Sequence, residues 1–230
     1  GGTAVLNGDD ERVAAMASRT SARVVLVGRD VVAEDVRLDD ELRAAFRLRS
    51  PWGTEEVRLG VRGVHQVTNA LLAGAAALVV GMDVAEVASG LAEAALSPWR
   101  MELHRTPAGV LVLNDAYNAN PISMAAALRS LAALPVQRRV AVLGTMAELG
   151  DVAEVEHARI GELARSLDIR VVALAEDRYR ADEVVADDDA VLAALGRLRV
   201  GDAVLLKGSR VAGLERVAAR LIAVGDVERP

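Results

Sequence analysis

Hydrophobic positions along this chain follow two rhythms, and the change falls at Ser97-Pro98-Trp99. Before that point Thr3 to Leu6 reads as a short strand, Asp9 or Asp10 is placed to cap a helix through Met16, and Arg23 to Val27 is a second apolar strand closed by Gly28. From Val31 to Val61 apolar and charged residues mix at short intervals around the turn Ser50-Pro51-Trp52-Gly53, which predicts an antiparallel meander. A helix from about His65 to Val80 follows. Asp83-Val84-Ala85-Glu86 then has the spacing of a capping box for a second helix ending near Leu96.

Beyond the break, apolar strands alternate regularly with amphipathic helices. Strands are predicted at Gly109 to Leu113, Arg139 to Leu143, Arg170 to Ala175 and Ala203 to Lys207. Between and after them come helices from Asn120-Pro121 to Leu134, from Asp151 to about Leu167, from Ala190 to Leu198 and from Val211 to Ala223, with Asp187-Asp188-Asp189 as a solvated turn and cap. Continuous apolar strands are buried on both faces, so the fold class is α/β, a Rossmann-like, doubly wound, mostly parallel sheet. Ligands of such sheets bind beyond the carboxyl ends of the strands. The segments of interest are therefore Asn114 to Asn120, Gly144 to Gly150, Ala175 to Arg180 and Lys207 to Arg210.

Composition narrows the function classes. The 230 residues are 52% hydrophobic and 2% aromatic, so the interior is built from Val, Leu and Ala and disorder is excluded. Few aromatic rings and a net charge of -6 argue against nucleic-acid partners. Absence of cysteine removes disulfides and thiolate metal sites, and no metal-binding residues are assigned. The longest apolar stretch, Ala70 to Val80, falls short of the ~20 residues a membrane span takes, and Gly1 to Asp10 lacks the pattern of a signal peptide. The expectation is a soluble, cytoplasmic protein without membrane insertion. Lys207 is the sole lysine, and it precedes Gly208-Ser209 instead of following a glycine and preceding Ser or Thr, so the chain carries no P-loop.

Five polar clusters carry candidate chemistry. Asn114-Asp115-Ala116-Tyr117-Asn118-Ala119-Asn120-Pro121 places amides and a carboxylate between a strand and a helix N-terminus, where free N–H groups suit an anionic or polyhydroxyl ligand, although turn chemistry alone explains Asn120-Pro121. His65 and Asn69, four apart at the start of a helix, share a face. Arg100, at the break between the two rhythms, is placed to clamp a phosphate or a carboxylate. Lys207-Gly208-Ser209-Arg210 offers donors at a helix start, and Gly144-Thr145-Met146-Ala147-Glu148-Leu149-Gly150 lacks the dinucleotide fingerprint.

Taken in order, Asp115-Ala116-Tyr117-Asn118-Ala119-Asn120-Pro121 with Ser123-Met124, Leu143-Gly144-Thr145-Met146-Ala147-Glu148-Leu149-Gly150, and Lys207-Gly208-Ser209-Arg210 resemble the Mur ligase family across essentially the whole chain. Within it they resemble the ligases that add D-alanyl-D-alanine to UDP-N-acetylmuramoyl-tripeptide. The resemblance implies a three-domain, monomeric enzyme of peptidoglycan precursor synthesis using ATP and Mg²⁺, of which residues 1–98 match the later half of the central ATP-binding domain and residues 99–230 the C-terminal domain. The family's N-terminal domain and P-loop match nothing here, so this chain alone is expected to be inactive. By position, His65 and Asn69 would bind the adenine, Arg100 the γ-phosphate and later the acyl phosphate, and Asp115 with Asn118 the ribose. Glu148, Lys207, Ser209 and Arg210 are candidates for positioning the peptide or dipeptide. Gln66 and Thr145 depart from the family pattern, and no charge-dependent role is carried to Thr145. The alternatives are another Mur or folylpolyglutamate synthase-like ligase, or a non-catalytic nucleotide- or partner-binding module.

Overall fold

The computed structural model describes residues 1–223. They form two units that divide between Leu96 and Ser97. In the first, β1 (Thr3–Asn7) and β2 (Arg23–Val27) pair in parallel, joined through α1 (Glu11–Ala14) and a 3-10 turn at Ala15–Arg19. Asp10, not Asp9, caps α1, accepting from the N–H groups of Arg12 and Val13. The meander forms as expected from β3 (Val32–Leu38), β4 (Arg43–Ser50) and β5 (Gly53–Arg62). Alternation turns Ala44, Phe46 and Leu48 of β4 and Val57 and Leu59 of β5 into a core with Val67, Leu71 and Leu78 of α2 (Gln66–Val79).

Both halves of the capping box form at Asp83 and Glu86, opening α3 (Val84–Glu93). That helix stops short of Leu96. Its end lies on β5 at Gly60, where a Cβ would come 2.6 Å from the Ala92 carbonyl oxygen, so close backbone packing fixes the exit of the chain.

The second unit is a six-stranded sheet in the order β10–β9–β8–β11–β7–β6. Its strands are β6 (Glu102–Arg105), β7 (Leu111–Asn114), β8 (Arg138–Leu143), β9 (Arg170–Leu174), β10 (Glu183–Val185) and β11 (Asp202–Lys207). Only β6 runs antiparallel, against β7. Val112, Val140, Val142, Val172, Val204 and Leu206 face α6 (Asp188–Leu195) and α7 (Leu214–Ala223). The alternate positions, such as Leu113, Ala141, Ala173 and Leu205, point the other way, where α4 (Pro121–Ala133) packs against α5 (Ala153–Ser166). The sheet is thus doubly wound, as the sequence implies.

Two edge strands, β6 and β10, escape the sequence reading because they are short, partly exposed and polar. One expected cap fails: Asp151 lies in a 3-10 turn, Gly150–Val152, and α5 begins after Val152 without a side-chain cap. The closing helix is likewise preceded by a 3-10 turn at Arg210–Ala212, and Gly213, at φ +66°, redirects the chain into α7.

Candidate functional site

Strand β11 sits between β7 and β8, and the loops leaving these three strands meet at the carboxyl edge of the sheet. Between β8 and β11 the backbone itself fills the edge. A Cβ on Gly208 would lie 3.0 Å from the Gly144 Cα, so the two loops cross in contact and leave no room there for a dinucleotide.

Lys207 ends β11 and is 2% exposed, its ammonium lying 2.5 Å from Asp115 Oδ2 and donating at 2.9 Å to the Asn118 carbonyl oxygen. Asp115 Oδ1 accepts from the Met101 N–H at 3.1 Å. Burial pushes the Lys207 ammonium below the ordinary lysine range, against the Asp115 charge, which pulls it up. Ser209 is also buried: its hydroxyl accepts from the Ala147 N–H at 2.9 Å and its N–H donates to the Thr145 carbonyl oxygen at 2.8 Å. Lys207 and Ser209, expected at the substrate, therefore tie the β7 and β8 loops together. Asp115, expected at the ribose, has both oxygens engaged by this framework.

Arg100 and Arg210 differ in being exposed. Arg100 Nε donates to Ser97 Oγ at 2.9 Å and its guanidinium lies 4.1 Å from the Tyr117 ring centre. The Arg210 guanidinium lies 5.0 Å from the Trp99 ring and 5.9 Å from Tyr117. Asn118 is exposed, its side-chain oxygen accepting from the Ala119 N–H. Glu148 stands exposed at a left-handed turn, φ +64°.

In the first unit His65, Gln66 and Asn69 form a row on the first turn of α2. The Asn69 amide donates to Gln66 Oε1 at 2.9 Å, and Gln66 Nε2 lies 3.2 Å from His65 Nε2. The shared face expected for His65 and Asn69 is present, with the Gln66 amide linking them.

A buried network behind the β8 loop joins the segment Ala175 to Arg180, marked in the sequence by its position after a strand, to His157, which was not a candidate. His157 is fully buried; its Nδ1 donates to the Ala153 carbonyl oxygen at 2.7 Å, and its Nε2 accepts from the Met146 N–H at 2.9 Å. Those partners fix the neutral tautomer, so the 3.4 Å approach to Glu176 is not an ion pair. Glu176 is held by Arg178 through bonds of 2.6 and 2.5 Å, and Tyr179 donates to the Gly144 carbonyl oxygen at 2.7 Å. Burial pushes the Glu176 carboxyl up, but the bonds from Arg178 and Thr145 outweigh it and hold it below 4.5. The available signal was position: Ala175 to Arg180 follows a strand. Beside it, Thr145, Ala175, Ala186 and Ala212 line a cleft of about 670 Å³, with Arg216 and Arg220 paired to Asp188 and Asp189 at its wall.

This edge, with one exposed arginine on the strap before β6 and a lysine-tied loop after β7, is built from the motifs that pointed to the ligase family. The sequence matches the model of the Mur ligase middle domain over residues 1–77 and that of the Mur ligase, glutamate ligase domain, over residues 99–210. The chain belongs to the Mur ligase family.

Among particular proteins, it is 46% identical to the UDP-N-acetylmuramoyl-tripeptide--D-alanyl-D-alanine ligase of Mycobacterium tuberculosis (strain CDC 1551 / Oshkosh), over 96% of this chain and 51% of that one. Its identity to the Escherichia coli (strain K12) ligase of the same name is 35%, over 76% and 41%. The crystal structure of MurF from Acinetobacter baumannii superimposes with a TM-score of 0.86 at 30% identity, covering 96% and 51%. The chain spans about half the length of the curated relatives it matches.

Proposed function

We propose that this chain is part of an ATP-dependent ligase that joins D-alanyl-D-alanine to UDP-N-acetylmuramoyl-tripeptide in the cytoplasm, with residues 1–98 contributing to its central ATP-binding domain and residues 99–230 forming its C-terminal domain. One observation carries the reading: 46% identity to a ligase of that name through 96% of the chain.

In the proposed reaction the tripeptide carboxylate takes the γ-phosphoryl group and ADP leaves. The dipeptide amine then attacks the acyl carbon, loses its proton and expels phosphate. Both steps concentrate negative charge, which Arg100, free of any carboxylate partner among the described residues, stabilises. Asn69, which is exposed, and His65, which is partly buried, would meet the adenine along the row that the Gln66 amide links. Asn118 would reach the ribose, while Asp115 and Lys207 hold the loop that presents it. The cleft beside Thr145 suits the acceptor, because Ala175, Ala186 and Ala212 match its two methyl side chains. No residue is assigned to Mg²⁺, since among the described residues no three His, Asp or Glu side chains converge on a metal position.

The test is a chimaera in which these 230 residues replace the matching segment of the Mycobacterium tuberculosis relative. D-alanyl-D-alanine-dependent phosphate release from ATP and UDP-N-acetylmuramoyl-tripeptide is expected. Preference for free glutamate as acceptor would overturn the reading.

A further inference from the structure

Arg100 and Arg210 share a mounting that the fold goes to some length to build. The strap carrying Arg100 places Trp99 at φ +63° and Met101 at φ +52°, a left-handed backbone that is strained for a non-glycine residue. Two bonds to the β7 loop hold it: the Tyr117 N–H donates to the Trp99 carbonyl oxygen at 3.1 Å, and the Met101 N–H to Asp115 at 3.1 Å. Asp115 is in turn fixed by Lys207. The outcome is that both guanidinium groups lie within 6 Å of one ring, Tyr117, and Arg210 also lies against Trp99.

A guanidinium carries all its N–H donors in its plane, so resting against a ring leaves those edges open to a ligand. Neither arginine has a carboxylate partner among the described residues; Ser97 takes one N–H of Arg100. Two such cations near one ring are complemented by an anion that reaches both. A single carboxylate is satisfied by one guanidinium fork, whereas a terminal phosphate, with three oxygens and more than one charge, accepts from both.

We infer that Arg100 and Arg210 form a two-guanidinium phosphate clamp, with Trp99 and Tyr117 as the positioning residues that hold it open. Its ligand is a terminal phosphate of a polyphosphate chain. The inference deepens the ligase reading, on which it rests for its place in the reaction but not for its chemistry: Arg210 joins Arg100 on the phosphoryl group in transfer, and is not a peptide contact.

Trp99 is a built-in reporter once Trp52, the other tryptophan, is replaced by Phe. Titrating that chain with inorganic tripolyphosphate is expected to give a saturable change in emission. R210Q and R100Q are each expected to weaken binding about tenfold or more, equivalent to 1.4 kcal/mol. Y117L should weaken it while Y117F, which keeps the ring, restores it; a merely structural role of the loop would not show that rescue. Absence of saturable binding, or binding indifferent to R210Q, overturns the clamp. In the chimaera, R210Q should lower kcat and leave the KM for D-alanyl-D-alanine within twofold. A raised dipeptide KM with kcat intact would return Arg210 to the acceptor and overturn its assignment to phosphate. Because the tripolyphosphate titration needs no turnover, loss of the ligase reading and loss of the clamp are separately visible.

Discussion

Replacing Lys207 by Met isolates the bond that holds the candidate site together. The Lys207 side chain is 2% exposed and that of Asp115 13%, and they meet at 2.5 Å. Removing the cation leaves a largely buried carboxylate with one remaining donor, the Met101 N–H, and strands the Asn118 carbonyl. Breaking a buried pair this way costs about 3–5 kcal/mol. In the double variant K207M/D115N no charge is left behind, and the Asn side-chain oxygen still accepts from Met101. Its cost should fall below the sum of the single variants by about 2 kcal/mol. The assay is urea unfolding in the Trp52→Phe background, so that Trp99 reports on the second unit alone, with the midpoint and slope read separately. D115N supplies the less drastic single arm. If K207M costs under about 1 kcal/mol, or the two changes add, the pair does not hold the loops and the account of Lys207 as framework is wrong.

Other consequences are more local. Glu176 is held below its unfolded value of 4.5, so its contribution to stability is complete above that pH and disappears as pH falls through the folded value; R178M should flatten this acid limb in pH-dependent melts, and an unchanged limb would count against it. G161A should destabilise by about 1–3 kcal/mol or more, because the new Cβ would overlap the Tyr179 carbonyl oxygen where α5 crosses the β9 loop; a neutral melting temperature would show that the helix shifts freely. D83A removes the cap of α3 and should cost about 1 kcal/mol in thermal unfolding followed by Trp52 in a Trp99→Phe chain, with less than a few tenths counting against the box.

What was legible in the sequence was whatever repeats or punctuates. The runs Val140 to Leu143 and Val171 to Leu174, and the caps at Asp83, Asn120 and Asp187, announced the parallel sheet and its helices because each obeys a local rule. Motif order carried the family. The roles of Lys207 and Ser209 were not legible, since a polar residue after a strand reads the same whether it meets a ligand or another loop, and their partners Asp115 and Ala147 lie 92 and 62 residues away. Trp99 and Tyr117 were passed over because an aromatic beside an arginine becomes a mounting only when separate loops converge. His157 gave no signal either: on the sequence it is one polar residue of an amphipathic helix, and only burial shows that it braces Met146.

The position of β11 also bears on how the protein is made. β7 and β8 are not neighbours until β11, the last strand among the described residues, inserts between them. A nascent chain emerging from the ribosome holds Asp115, Asn118, Thr145 and Ala147 well before Lys207 and Ser209 arrive to join them. Synthesis at ~5–20 residues per second leaves the apolar edges of β7 and β8 uncovered for several seconds, a window in which chaperones and proteases compete with closure. A ribosome that stops before residue 207 therefore releases a unit with an open sheet, and an unassembled site coincides with an unfinished core that quality control can recognise.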